Sequence, residues 1–176
     1  EVVNATLAEW VSFITFCRIR EHRQRAGRLL RVGRIAEAGR AARKSLGYAV
    51  EYRYLNAKRR GVYAQALRHL DIAEDHAVHS VERRLDGGRH FSFDVGTESV
   101  LSIGGALEYV AHGCDGIVNV YPFTCMPGTV ATAVLGPLLA KMRVPYLEVP
   151  CDGTHRASRE THIRTFVWQA AQRRSS

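Results

Sequence analysis

The strongest constraint on what this chain can fold into is an alternation that fills its C-terminal half. Thr97 and Glu98 open a helical pattern that runs to about His112 and stops at Gly113. Residues 116–121 form a short apolar run bounded by Gly and Pro, which reads as a strand. Residues 122–128 read as a loop and Thr129 to about Met142 as a helix. Residues 144–149 make the next strand, residues 150–153 a second loop, and Ser158 to about Gln172 a last helix. Strands separated by helices pair in parallel, because a helical crossover returns the chain to the same end of the sheet. The expected class is therefore α/β, a parallel sheet with flanking helices. The opening residues 1–6, rich in β-branched side chains, read as one more strand of that sheet. Thr6 is placed to cap a helix starting at Leu7.

Between these parts lies a long helical excursion, from about residue 18 to 85. Leu29, Leu30, Ile35, Leu46, Val50, Leu67, Leu70 and Ala73 recur at spacings near three and four, the pattern of an apolar helical stripe. Gly27, Gly33, Gly39, Gly47 and Gly61 interrupt it, which predicts two or three helices rather than one rod. Asp86, Gly87 and Gly88 end the excursion. The expected organisation is residues 1–16 as the first strand and helix of the α/β domain, residues 17–88 as a basic helical insertion, and residues 89–176 as the strand–loop–helix module.

The charge follows this division. Residues 18–68 carry 15 Lys and Arg against three acids, a net of +12, while the whole chain is only +8. Two readings fit such a segment. It is a surface for phosphates, whether of nucleic acid, a coenzyme A tail or acidic lipid, or it is a solvated helical face in a GC-rich genome. The near absence of lysine favours the second reading. No RNP-like run or finger spacing accompanies the charge, so nucleic acid is not an expected partner. No apolar run nears the ~18–20 residues that cross a bilayer, and no membrane partner is expected. The chain opens without Met and without a basic, then apolar, leader, which suggests a piece or processed product of a longer protein.

Four cysteines, Cys17, Cys114, Cys125 and Cys151, are too few for a disulfide scaffold and include no CxxC pair. A cytoplasmic setting is expected. In an open parallel sheet, ligands bind beyond the carboxyl ends of the strands. Cys125 follows one predicted strand and Cys151 the next, so neighbouring strands would put both thiols on one rim. Cys125 also precedes a helix start marked by Pro127, Gly128 and Thr129, where free N–H groups favour a thiolate. That setting suits metal ligation, iron–sulfur ligation or nucleophilic chemistry, and equally a buried small hydrophobe. Cys17, among Phe13, Ile14, Phe16 and Ile19, reads as core. His76 and His79 have a spacing compatible with ligation but no supporting pattern. No GxGxxG, Walker or GxSxG sequence occurs.

The run 98–109, followed by 116–129 with its PFTCMPGT element, resembles the C-terminal region of the acyl-CoA dehydratase activase-related proteins. These belong with the 2-hydroxyacyl-CoA dehydratase and benzoyl-CoA reductase group. The resemblance covers about residues 91–172, and the opening residues 1–13 are similar to that family's strand and "EW" helix. It implies a Rossmann-like module in an oxygen-sensitive electron-transfer system, with an iron–sulfur cluster of the 4Fe–4S type as cofactor. It implies Cys125 as a cluster ligand, and the rim position after the next predicted strand makes Cys151 the second candidate metal-site thiol. Glu98, Asn119, Pro122, Phe123, Thr124, Gly128, Thr129 and Asp152 would shape the surrounding loops. The implied partners are upstream ATPase (activase) domains or a dehydratase subunit, and an acyl-CoA. A tetrahedral cluster takes four thiolates, or three and an exogenous ligand, so the other ligands would come from outside this chain. The chain departs from the family pattern at Cys114, Cys151, His162 and Arg164. The competing reading is a cluster-free α/β interaction domain whose basic helices bind a partner protein, nucleic acid or a CoA phosphate.

Overall fold

A computed structural model describes residues 2–4, 6–66, 68–69, 76–85, 87, 89–154 and 157–174. The chain is mostly helical with a small parallel sheet, so it is of mixed α/β content. It forms two compact units, residues 1–78 and 79–176.

The first unit is a helical hairpin of α1 (Leu7–Arg31) and α2 (Ile35–Ala66). Thr6, in extended conformation, accepts a hydrogen bond from the Glu9 amide at 3.3 Å and so caps α1. The chain before it carries no strand at residues 2–4, and Val2 is 84% exposed. The expected opening strand is therefore corrected, since β-branched residues make a strand only where a sheet edge pairs with them. Glu1 and Ala5 of that segment lie outside the described residues. Residues 7–16 are the first part of α1, which pairs with α2 in this unit.

Of the five glycines expected to interrupt the excursion, only Gly33 does, at φ +74° in the turn between the helices. Gly27, Gly39, Gly47 and Gly61 continue their helices, at a cost of about 1 kcal/mol each relative to Ala. The seam of the hairpin is made mostly of small residues, joined by Ile19 and aromatic rings. Ser12, Thr15, Ile19 and Ala26 are buried on α1, and Ala38, Ala41 and Ser45 on α2. These spacings of three, four and seven keep one face of each helix against the other. Ser45 Oγ donates to the Ile19 carbonyl at 3.1 Å, His22 stacks on Tyr48, and Phe16 meets Tyr52.

The large aliphatic stripe of the sequence lies elsewhere. Leu30 is 58% exposed, Ile35 73%, Leu46 66% and Val50 62%, so these side chains face away from the seam. Their spacing is helical, as expected, but the helices meet through their small residues. Leu67, Leu70 and Ala73 lie outside the described residues, as do Asp86 and Gly88 of the expected stop.

A short helix, α3 (Val78–Arg84), leads into the second unit. A 3-10 turn at Phe93–Val95 is closed by Gly96 at φ +65°. Then follow α4 (Glu98–Ala111), β1 (Ile117–Pro122), α5 (Met126–Lys141), β2 (Tyr146–Cys151) and α6 (Ala157–Arg174). β1 and β2 pair in parallel, from Ile117 opposite Tyr146 to Pro122 opposite Cys151. Among the described residues the sheet has these two strands.

The core of this unit is aliphatic. Val100, Ile103 and Leu107 of α4 and Ala131, Leu135 and Leu139 of α5 are all under 10% exposed. Gly104 lets α4 approach α3: a Cβ there would stand 2.8 Å from the Val81 carbonyl oxygen. Beside it Arg84 forms an ion pair with the buried Glu108. Burial alone would raise the Glu108 carboxyl. The Arg84 and Ser80 hydrogen bonds, with the Arg84 and His112 charges, outweigh it and hold the group below its usual range.

Candidate functional site at the carboxyl edge of the sheet

The site is built from where the two strands end. Both expected loop residues Pro122 and Cys151 are the last residues of their strands, facing each other in register. The Phe123 amide continues the ladder by donating to the Cys151 carbonyl at 2.8 Å. Thr124 then turns the chain at φ +66°, a left-handed conformation uncommon for a branched residue. The Cys125 amide closes this turn onto the Pro122 carbonyl at 2.9 Å.

Cys125 is the N-cap of α5, which begins at Met126, three residues earlier than Thr129. The helix reaches back because Pro127 fits its first turn, where no amide proton is needed. The Cys125 carbonyl accepts from both the amide and the hydroxyl of Thr129, each at 3.0 Å. Its own side chain makes no capping bond, which leaves the sulfur uncommitted to the helix end. The thiol is half-buried, and that of Cys151 is exposed.

Three contacts hold this turn in place. A Cβ on Gly128 would fall 2.5 Å from the Tyr121 ring, so only glycine lets α5 start this close to β1. Asn119 donates from its amide to Thr132 Oγ1 at 3.1 Å and toward the Gly128 carbonyl at 3.4 Å. Thr132 is in turn bonded to the Tyr146 hydroxyl at 2.9 Å, which ties α5 to both strands. Burial raises the Tyr146 phenol above its ordinary pKa, helped by the Glu148 and Tyr121 charges, against the Thr132 and Asn119 hydrogen bonds. The third contact comes from α4, where buried Ser99 donates to the Pro127 carbonyl at 3.0 Å.

The predicted residues divide accordingly. Asn119, Pro122, Thr124, Gly128 and Thr129 shape the Cys125 turn. Phe123 projects from it, largely exposed. Glu98 is exposed at the start of α4, and its neighbour Ser99 makes the contact to the loop. Asp152 accepts from the amide and hydroxyl of Thr154 at 3.0 and 2.7 Å, folding the chain after Cys151 into an Asx turn. Ser99, Thr132 and Tyr146 were not singled out from sequence. Thr132 could have been, since it lies one turn beyond Gly128 on the helix face that meets the sheet.

Elsewhere, the Cys114 carbonyl accepts from Arg173 at 2.8 Å, joining the turn after α4 to the end of α6. His162 lines a groove of about 590 Å³ between β2 and α6, together with Tyr146, Glu148, Pro150 and Arg159. Arg164 pairs with Glu160 at 2.7 Å on the surface.

A cluster of the expected type needs three or four thiolates. The carboxyl edge offers two. Among the described residues, no three His, Cys, Asp or Glu side chains stand together where a metal could be held. The residues present thus fit part of a ligand set and do not complete one. No helix of the described residues is long and apolar enough to cross a membrane. Compared with protein-family models, curated proteins and solved structures, the chain matches none.

Proposed function

We propose that residues 79–176 form a Rossmann-like, iron–sulfur-associated domain serving the ATP-dependent activation of a 2-hydroxyacyl-CoA dehydratase. Cys125 is its cluster ligand and Cys151 the second thiol of the same edge. The observation that supports this most is the register of the sheet, with Cys151 opposite Pro122 and the Cys125 turn built directly on that pair. A left-handed Thr124 and a glycine under an aromatic ring are costly local choices, and both serve to fix where Cys125 stands. A [4Fe–4S] cluster supplies one-electron transfer at low potential. This chain's part is to present one or two thiolates from a rigid edge. An upstream ATPase domain or a dehydratase subunit completes the set.

Anaerobic expression of the full-length protein, followed by iron and acid-labile sulfide analysis, tests this. Stoichiometric iron that collapses in Cys125→Ser, with the circular dichroism unchanged, is the expected result. A folded protein without iron in either form overturns it. The second reading, a cluster-free interaction domain, draws on the two-thiol count at the edge, and that same iron-free outcome would select it.

A further inference from the structure

The hairpin of the first unit leaves several of its large aliphatic side chains in water. Leu30, Val32 and Ile35 crowd the turn between α1 and α2, and each is more than half exposed. Leu46 lies three helical turns from Ile35, and Val50 one turn further, so the patch continues along the outward face of α2. Arg28 and Arg31 flank the turn, and Arg43 and Arg53 stand on the α2 face. All four are exposed and have no ion pair among the described residues. Glu37, the acid nearest the turn, is engaged by Arg34.

We propose that this face docks on the surface of an anionic lipid bilayer. The aliphatic side chains enter the headgroup–acyl boundary, and the arginines bind lipid phosphates above it. Charge complementarity decides the occupant. A second copy of the hairpin would bring a +12 segment against itself. A nucleic acid would satisfy the arginines but set five aliphatic side chains, which do not stack on bases, against its phosphates. At a bilayer surface both sets find their solvent at once, because arginine stems lie along apolar surface while their heads reach phosphate. The expectation of no membrane partner rests on the lack of a spanning run. Lying on a leaflet requires only an apolar face and basic flanks.

Co-sedimentation of the purified chain with vesicles tests this, using phosphatidylcholine alone and an equimolar mixture of phosphatidylcholine and phosphatidylglycerol. The chain is expected to pellet with the anionic vesicles and stay in solution with the neutral ones. Each Arg→Gln change among Arg31, Arg43 and Arg53 is expected to weaken binding about fivefold. The pair Ile35→Ser and Leu46→Ser is expected to weaken it more than about tenfold. Both positions are solvent-exposed, so helix content should survive, and circular dichroism checks that. Failure to pellet with the anionic vesicles overturns the proposal. So does undiminished binding by the folded serine pair, which would make the surface a plain polycation. Tighter binding to duplex DNA than to anionic vesicles, unaffected by the serine pair, would assign the arginines to nucleic acid and also overturn it.

Discussion

The two units differ in how many of their large aliphatic side chains they bury. In the α/β unit the large aliphatics face inward, with Ile103, Leu135 and Leu139 essentially inaccessible. In the hairpin Phe13 and Ile19 are buried, but the other inward apolar and small positions are Ala26, Ala38, Ala41 and Ser45, and Leu30, Ile35 and Leu46 point out. Helical periodicity is present in both. What differs is which residue class the neighbouring element demands. A sheet and two helices leave a space that only branched aliphatics fill, whereas two long antiparallel helices approach most closely through small residues.

The largest effect that can break this comparison is a matched pair of truncations. Leu139→Ala should cost about 3 kcal/mol, because the lost side chain leaves a cavity in the core of the second unit. Leu46→Ala should change hairpin stability by less than about 0.5 kcal/mol, because the side chain is already in water. Denaturant unfolding of both variants checks this. Equal costs would mean that the outward face of α2 is covered after all.

A smaller effect with opposite signs follows from two helical glycines. Gly104→Ala should destabilise the second unit by about 1–3 kcal/mol, because the new methyl meets the Val81 backbone, which cannot swing aside. Gly39→Ala meets nothing within 4 Å and should raise the stability of the hairpin by about 0.5–1 kcal/mol. Thermal melts of the two variants sharpen the contrast, and a shift in the same direction for both would erase it.

The smallest effect is on pH dependence. The folded pKa of Glu108 is lowered, so its contribution to stability is complete above the ordinary carboxylate range. That contribution fades as the pH falls through the lowered value and the native state takes up the proton. Melting the protein across the acid range should show this loss in the second unit, and Glu108→Gln should flatten the profile. The surface pair Arg34–Glu37 of the hairpin, being exposed, should contribute little to any such slope. An unchanged acid limb in Glu108→Gln would remove the Arg84 pair from the account.

Much of the second unit is legible in its sequence. Its order of helix, strand, helix, strand, helix follows from short apolar runs set between Gly and Pro, and the element ends fall within about three residues of those expected. The largest difference is the start of α5: Pro127 sits in the first turn as its ring suits, so residues 126–128 belong to the helix and not to the loop. The opening strand was misread because β-branched residues at 2–6 satisfy a strand pattern without saying whether an edge awaits them. The glycines of the excursion were overvalued for a related reason. Tertiary pairing of two long helices carries Gly27, Gly39, Gly47 and Gly61 through, and only Gly33 takes a conformation that other residues avoid. At the candidate site, Cys125 and Cys151 were legible from their positions after predicted strands. Ser99 was not, since its importance comes from a carbonyl that lies 28 residues away along the chain.

The sequence by itself determined the uneven charge and the helix-strand alternation of residues 97–172, because each depends on residues a few positions apart. Only the tertiary structure decided which face of α2 meets α1, and it decided against hydrophobicity in favour of size. It alone decided that Pro122 and Cys151 stand opposite one another, and that Asn119, Thr132 and Ser99 hold the turn that presents Cys125. These are relations between elements distant in the chain, set by packing geometry that local periodicity does not contain.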